Sequence, residues 1–93
     1  MDYLNTLAGI LTARTAIRLD INPNCTKAMS LVYESAMMVA LDWFEYYNLS
    51  DERDGEAAVV RAKTEDELVE AVESQMNFVG TIYHAQLLSK EAA

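Results

Sequence analysis

Cysteine and histidine, which are common in nucleophilic catalysis and in metal sites, are scarce in this chain. It has one cysteine and one histidine, Cys25 and His84, which stand 59 positions apart. They lack the clustered spacing of a structural zinc site, and no glycine-rich phosphate loop or Gly-x-Ser-x-Gly motif accompanies them. The apolar spacing around Cys25 is typical of a small core residue. We therefore predict no catalytic residue, no metal site and no cofactor, and we do not expect an enzyme.

Three basic residues in the first half of the chain could bind an anion. Arg14 and Arg18 stand one helical turn apart, and Lys27 is the only other positive charge before residue 50. Two interpretations stay open. These residues form a solvated edge, or they form an anion site that symmetry sharpens by bringing copies together. In the second case the protein would be an oligomeric binder or sponge of an anionic small molecule such as a cyclic nucleotide.

Acidic residues are concentrated in one part of the chain. The formal net charge is −8, and residues 51–74 carry nine acids against three bases. A chain of this charge repels a phosphate backbone, which argues against direct nucleic-acid binding. The acids either form a solvated surface or steer the protein towards a basic partner. The acids predicted to bind such a partner are Asp51, Glu52, Asp54, Glu67, Glu70 and Glu73.

Four aromatic residues lie just before the acidic segment: Trp43, Phe44, Tyr46 and Tyr47. Their spacing covers more than half the circumference of a helix, so they cannot all face one core. They either complete the core and a subunit interface, or Trp43, Tyr46 and Tyr47 anchor a protein partner, because aromatic residues are enriched at such interfaces.

Glu34 is an isolated carboxylate in an apolar segment. It is either an exposed residue on a narrow polar strip with Lys27 and Glu45, or a buried carboxylate paired with Arg14 or Arg18. A buried pair would fix the register of two helices more than it would add stability.

Hydrophobic periodicity predicts three helices that position these residues, over about residues 2–20, 23–47 and 65–89, with an acidic connection over 48–63. The helix over 23–47 is apolar on nearly all sides. The helix over 65–89 has one continuous apolar seam, made of Val69, Val72, Met76, Val79, Tyr83 and Leu87.

Local signals predict where these helices begin. Either Asn22, with a proline after it, or Thr26 caps the second helix. Thr64 and Glu67 have the spacing of a capping box at the start of the third. Gly80 falls inside the third helix, where a close helix crossing would explain it.

We therefore predict one all-α domain over residues 1–93. It is a three-helix bundle with a long, nearly all-round apolar central helix. Two short companions cannot easily cover such a helix, and a chain this small buries only about two-thirds of its unfolded surface. We expect self-association to complete the fold.

The same composition gives an expected location. No apolar run approaches the roughly 18 residues that a membrane span needs, and no secretory signal is visible. A single cysteine fits a reducing compartment. We expect a cytoplasmic protein that does not bind membranes.

Two short segments resemble known families. Residues 46–54, with a tyrosine pair and an acidic run, are similar to the partner-binding region of nuclease-colicin immunity proteins, but Asn48 stands where that family has a proline. Residues 23–38 are similar to a segment of phage cyclic-oligonucleotide sponges, with Val39 where that family has a tryptophan. The second resemblance implies that Lys27, Arg14 or Arg18 would face phosphates.

These observations favour a small acidic, non-catalytic regulator or inhibitor that binds a basic surface of a larger protein. Small inhibitors of this kind are typical of phage and mobile-element proteins, which is an analogy of class. The alternative is the oligomeric anion binder, and a third possibility is a structural assembly subunit.

Overall fold

The computed structural model describes residues 2–49 and 65–91. They form four α-helices: α1 (Asp2–Arg18), α2 (Thr26–Leu49), α3 (Glu65–Val79) and α4 (Ile82–Glu91). Every regular element in these two ranges is a helix, which confirms the all-α prediction. The described residues form four helices and not the predicted three, because the helix predicted over 65–89 is divided into α3 and α4. The acidic connection overlaps α2 up to residue 49 and otherwise lies outside the described residues, as does Thr64 of the predicted capping box.

The helices pack around α2, which contacts each of the other three. The short connection 19–25 joins α1 and α2 into a helical hairpin. The core is made of one face of each helix and contains no charged side chain among the described residues. Its buried members are Leu11, Ala16, Ile21, Cys25, Ala28, Val32, Ala36, Val39, Leu68, Val69, Ala71, Val72, Met76 and Ala85.

The third predicted helix is broken at Gly80. This glycine has a φ of 77°, in the left-handed region. Its N–H donates to the carbonyl of Asn77 at 3.2 Å, and the N–H of Thr81 donates to the carbonyl of Met76 at 2.9 Å. This pair of bonds is the Schellman motif, which ends a helix and favours glycine. A Cβ at Gly80 would meet nothing within 4 Å, so backbone conformation explains the glycine and a close helix crossing does not.

The break turns α4 relative to α3 and divides the predicted apolar seam. Val69, Val72 and Met76 are fully buried, as a continuous seam requires. Tyr83 lies beyond the break and is 74% exposed, while Ala85 is buried in its place. The residues that follow the break therefore pack in a new register.

Gly80→Ala should lower the free energy of unfolding by about 1 kcal/mol, because an alanine at positive φ is strained. Gly9 in α1 is a matched control, since a Cβ there would also meet nothing within 4 Å. Its backbone is helical, so Gly9→Ala should raise the free energy of unfolding by up to about 1 kcal/mol. Urea denaturation followed by circular dichroism measures both, and changes of the same sign would contradict this account.

The connection between α1 and α2 begins with a second Schellman motif. Asp20 has a φ of 58°, and its N–H donates to the carbonyl of Ile17 at 3.2 Å. The N–H of Ile21 donates to the carbonyl of Ala16 at 2.9 Å. Ile21 and Ala16 are both buried, which is the hydrophobic contact that usually accompanies this motif.

Cys25 caps α2, in place of the predicted Asn22 or Thr26. Its carbonyl accepts the N–H of Met29 at 3.0 Å, and its Sγ accepts the N–H of Ala28 at 3.5 Å. Asn22 shapes the preceding turn instead, because its Oδ1 accepts the N–H of Asn24 at 2.9 Å. The Cys25 side chain itself is buried, although its neighbours in the first turn of α2, Thr26 and Lys27, are exposed.

Side chains and carbonyls of α4 hold the 19–25 connection. The N–H of Asn22 donates to Ser89 Oγ at 2.6 Å. Gln86 Nε2 donates to the carbonyl of Leu19 at 3.1 Å, and the Cys25 thiol donates to the carbonyl of Leu88 at 3.5 Å. The last described helix therefore closes the end of the hairpin where α1 and α2 meet.

Candidate functional site

Two arginines of α1 form ion pairs with α3. Arg14 bonds Glu65 and Asp66, and Arg18 bonds Glu73, with a second contact from Nη2 to Oε1 at 3.4 Å. Because Arg14 meets the start of α3 and Arg18 meets its middle, α1 and α3 run side by side in the same direction.

These ion pairs stabilise the charged form of each guanidinium. Hydrogen bonds to Asp66 and then Glu65 raise the pKa of Arg14 above its usual value. The hydrogen bond to Glu73 raises the pKa of Arg18 in the same way. The pairs are largely exposed, so their main role is to orient α1 against α3, with a small contribution to stability.

The side of the molecule that α3 forms stays acidic after this pairing. The helix carries five carboxylates, at positions 65, 66, 67, 70 and 73, and no basic residue. These five carboxylates and the guanidiniums of Arg14 and Arg18 have a formal net charge of −3 at pH 7, counted over the described residues alone. We call these five carboxylates the acidic face. Such a surface attracts a positively charged partner over about a Debye length, about 8 Å at physiological salt.

The predicted partner-binding residues are only partly brought together. Glu67, Glu70 and Glu73 lie on the acidic face. Trp43 lies on α2, half-buried against the core, with its ring edge-on to Phe44 at 5.4 Å between centroids. The side chains of Tyr46 and Tyr47, and the whole of Asp51, Glu52 and Asp54, lie outside the described residues.

Four apolar side chains before and after the break at Gly80 are exposed, and three of them belong to the predicted apolar seam. Phe78 is 86% exposed. Val79, Tyr83 and Leu87 are also exposed, and we call these four residues the apolar corner. It begins at the C-terminal end of the helix that carries the acidic face. The sequence signal that could have found its residues on α4 is the glycine at position 80.

The predicted anion-binding residues differ in the contacts they make. Arg14 and Arg18 bond carboxylates of α3. Lys27 is exposed in the first turn of α2, and among the described residues it makes no ion pair. An anion at Arg14 or Arg18 would have to displace a carboxylate of the same chain.

A groove of about 470 Å³ lies between α1 and α2. It is lined by Thr12, by Pro23 of the connection, and by one face of α2 that includes Tyr33 and Glu34. Glu34 is exposed, as the first of its two interpretations requires. The second fails, because Glu34 is not buried and both arginines bond α3.

Comparison with known proteins finds no relative. No protein-family model matches the chain, and no curated protein or solved structure matches it significantly. Within residues 2–49 and 65–91, no three histidine, cysteine or carboxylate side chains lie close enough to hold a metal ion. No helix in those two ranges is long and apolar enough to cross a bilayer. Function is therefore inferred from the surfaces themselves.

Proposed function

We propose that this protein is a small, non-catalytic, acidic regulator or inhibitor that binds a basic surface of a larger protein. The observation that carries the proposal is the acidic face on α3, whose five carboxylates outnumber the two arginines that they meet among the described residues. The apolar corner begins where that helix ends. Apolar anchors beside complementary charge are the usual composition of a protein interface.

The two features would act at different stages of binding. The carboxylates would speed encounter with a basic surface, an effect that weakens as salt is added. Phe78 and Tyr83 would then supply buried contact area, because aromatic side chains dominate the binding energy of most interfaces. In this proposal they share the anchoring role first assigned to Trp43, Tyr46 and Tyr47, of which Trp43 packs half-buried against the core. The acids at 51, 52 and 54 would extend the charged surface.

The alternative anion binder has less support. Its best candidates, Arg14 and Arg18, already bond carboxylates of α3. A phosphate would have to compete with those carboxylates and approach a surface that is negative overall.

Self-association is proposed alongside partner binding. Ile10 and Ile17 are exposed on the outer face of α1, and Ile17 is 78% exposed. A second copy would cover this apolar surface. Light scattering on the eluting peak of a gel-filtration column should give a mass of at least two chains of 10.4 kDa. A single chain at micromolar concentration would contradict self-association and leave these residues for a partner.

Charge reversal on the acidic face tests the main proposal. Glu70→Lys should weaken capture of a basic partner from the source cells about tenfold, because it places like charge against the partner. Glu91→Lys at the end of α4 makes the same change in net charge and should leave capture unchanged. Binding that ignores both the reversal and added salt would overturn the proposal.

The same assay tests the apolar corner. Phe78→Ala should weaken capture of the same partner about tenfold, since an exposed aromatic anchor is lost. Leu41→Ala removes an exposed apolar side chain on α2 that neither proposed surface includes, and it is the control. If Phe78→Ala does not weaken capture, or weakens it no more than the control does, the apolar corner is not the anchor.

A further inference from the structure

The groove between α1 and α2 plays no part in the proposed function, and none of its lining residues lies on α3. Its volume of about 470 Å³ is in the size range of small-molecule sites, which is about 300–1,000 Å³. Its walls combine a carboxylate, an aromatic ring, hydroxyl groups and two apolar side chains. Each of these groups restricts the chemistry of what could bind.

Charge is the first restriction. Of the described residues that line the groove, Glu34 alone is charged. It makes no ion pair with any described residue, and the arginines that could have neutralised it bond α3 instead. A carboxylate on a groove wall that no described lysine or arginine pairs with favours a cationic ligand.

The aromatic and hydroxyl groups favour the same ligand. Tyr33 is 40% exposed, so part of its ring is available for a cation–π contact. Thr12 Oγ1 donates its proton to the carbonyl of Ala8 at 2.7 Å, which leaves its lone pairs as acceptors. Ser30 adds a further hydroxyl. Acceptors around a negative charge suit a head group that carries several N–H donors.

The apolar residues and the helix dipole set the direction of the ligand. Met29 and Pro23 offer an apolar surface to an aliphatic arm. The positive end of the α2 dipole acts only over the first turn of the helix, which begins at Thr26. Glu34 lies eight residues further on, about 12 Å along the axis, where a cation is not opposed by that dipole.

We propose that this groove binds an organic cation, namely a guanidinium or primary ammonium group on a short aliphatic arm. The head group bonds the Glu34 carboxylate and lies over the Tyr33 ring, and the arm packs on Met29. The source is either a free small molecule or an arginine or lysine side chain of a protein.

Nuclear magnetic resonance titration of the intact chain tests the site with defined probes. Butylguanidinium represents the free cation, and N-acetyl-arginine methylamide represents a side chain. Butylurea and N-acetyl-citrulline methylamide have the same shapes without the charge. The two cations should shift the amide signals of Ser30, Tyr33 and Glu34 in a saturable way, and the neutral analogues should not. The cation that binds more tightly identifies the source.

Substitutions locate the binding to named groups. Glu34→Gln should weaken cation binding about tenfold, since it removes a charged hydrogen-bond acceptor. Tyr33→Leu should weaken it about threefold by removing the ring. Glu70→Gln on the acidic face is the control and should have no effect. Both groove positions are exposed, so the folded spectrum should persist.

Three results would overturn the groove site. They are equal binding of the neutral analogues, no saturable shift in the groove, or shifts confined to α3 that Glu70→Gln abolishes. The last result would leave the proposed function in place, because a cation would then bind the acidic face. Conversely, a groove titration that succeeds while partner capture ignores Glu70→Lys would separate the two proposals.

Discussion

Met76→Ala should lower the free energy of unfolding by about 2–5 kcal/mol, the usual loss when a buried methionine is truncated. Met76 is fully buried and is among the largest such side chains described. It lies in the core that α3 contributes, beside Val69 and Val72. Truncation removes the free energy gained by transferring the methionine side chain from water to the core. It also leaves a cavity that α3 and its neighbours can close only in part. Because small domains have total stabilities of about 5–15 kcal/mol, this loss could leave the chain largely unfolded on warming.

Phe78→Ala is the matched control for that substitution. Phe78 lies two positions further along α3 and is 86% exposed, so its truncation should change the free energy of unfolding by less than about 0.5 kcal/mol. Urea denaturation gives both values when the free energy of unfolding is fitted with the same dependence on urea concentration for all variants. Similar losses from the two variants would mean that the ring of Phe78 is buried and would remove it from the apolar corner.

Thr15→Val should raise the free energy of unfolding by about 1–3 kcal/mol, the cost of leaving a buried polar group unsatisfied. Thr15 is fully buried, and its Oγ1 has no hydrogen-bond partner among the described residues. Valine has the same branched shape without the hydroxyl. The helix propensities of threonine and valine are similar, so the change reports the buried oxygen and not the backbone.

Thr12→Val separates this effect from a general gain on replacing threonine in α1. The Oγ1 of Thr12 donates to the carbonyl of Ala8 at 2.7 Å, so its loss should leave stability unchanged or lower it by about 1 kcal/mol. Thermal unfolding of the two variants and the parent decides the question. A decrease for Thr15→Val would show that its hydroxyl is bonded in solution.

The central position of α2 could be predicted from sequence because its apolar spacing is unbroken. The side of this helix that carries Val32, Ala36 and Val39 is buried, and Trp43 packs against the same core. An adjacent apolar side is less buried, since Tyr33 is 40% exposed beside the groove. Periodicity identifies apolar faces, but it does not determine which of two adjacent faces the neighbouring helices cover.

The break at Gly80 could not be distinguished from a glycine inside a helix. The apolar spacing of Val69, Val72 and Met76 continues through Tyr83 in sequence, and no proline marks the stop. A single glycine is compatible with both a helix interior and a left-handed cap. The helix ends at Gly80 in this chain because the new direction lets α4 pack Ala85 against the core and bond the 19–25 connection.

The partners of Arg14 and Arg18 depend on which helix lies beside α1. Sequence spacing places both arginines on one side of α1 and offers Glu34 as a partner. The structure places α3 there, and its carboxylates at 65, 66 and 73 bind the arginines. Contacts between residues more than fifty positions apart are set by helix packing, which local spacing does not encode.

The three hydrogen bonds between α4 and the 19–25 connection affect how the chain folds during synthesis. The partners of Leu19, Asn22 and Cys25 lie between residues 86 and 89, across separations of 63 to 67 positions. The ribosome delivers α1 and α2 long before these partners exist, since synthesis proceeds at about 5–20 residues per second. The connection between α1 and α2 therefore lacks these three partners until synthesis has passed Ser89. Contacts between residues this far apart in sequence form slowly. Until they form, the nascent chain is open to chaperones and to aggregation.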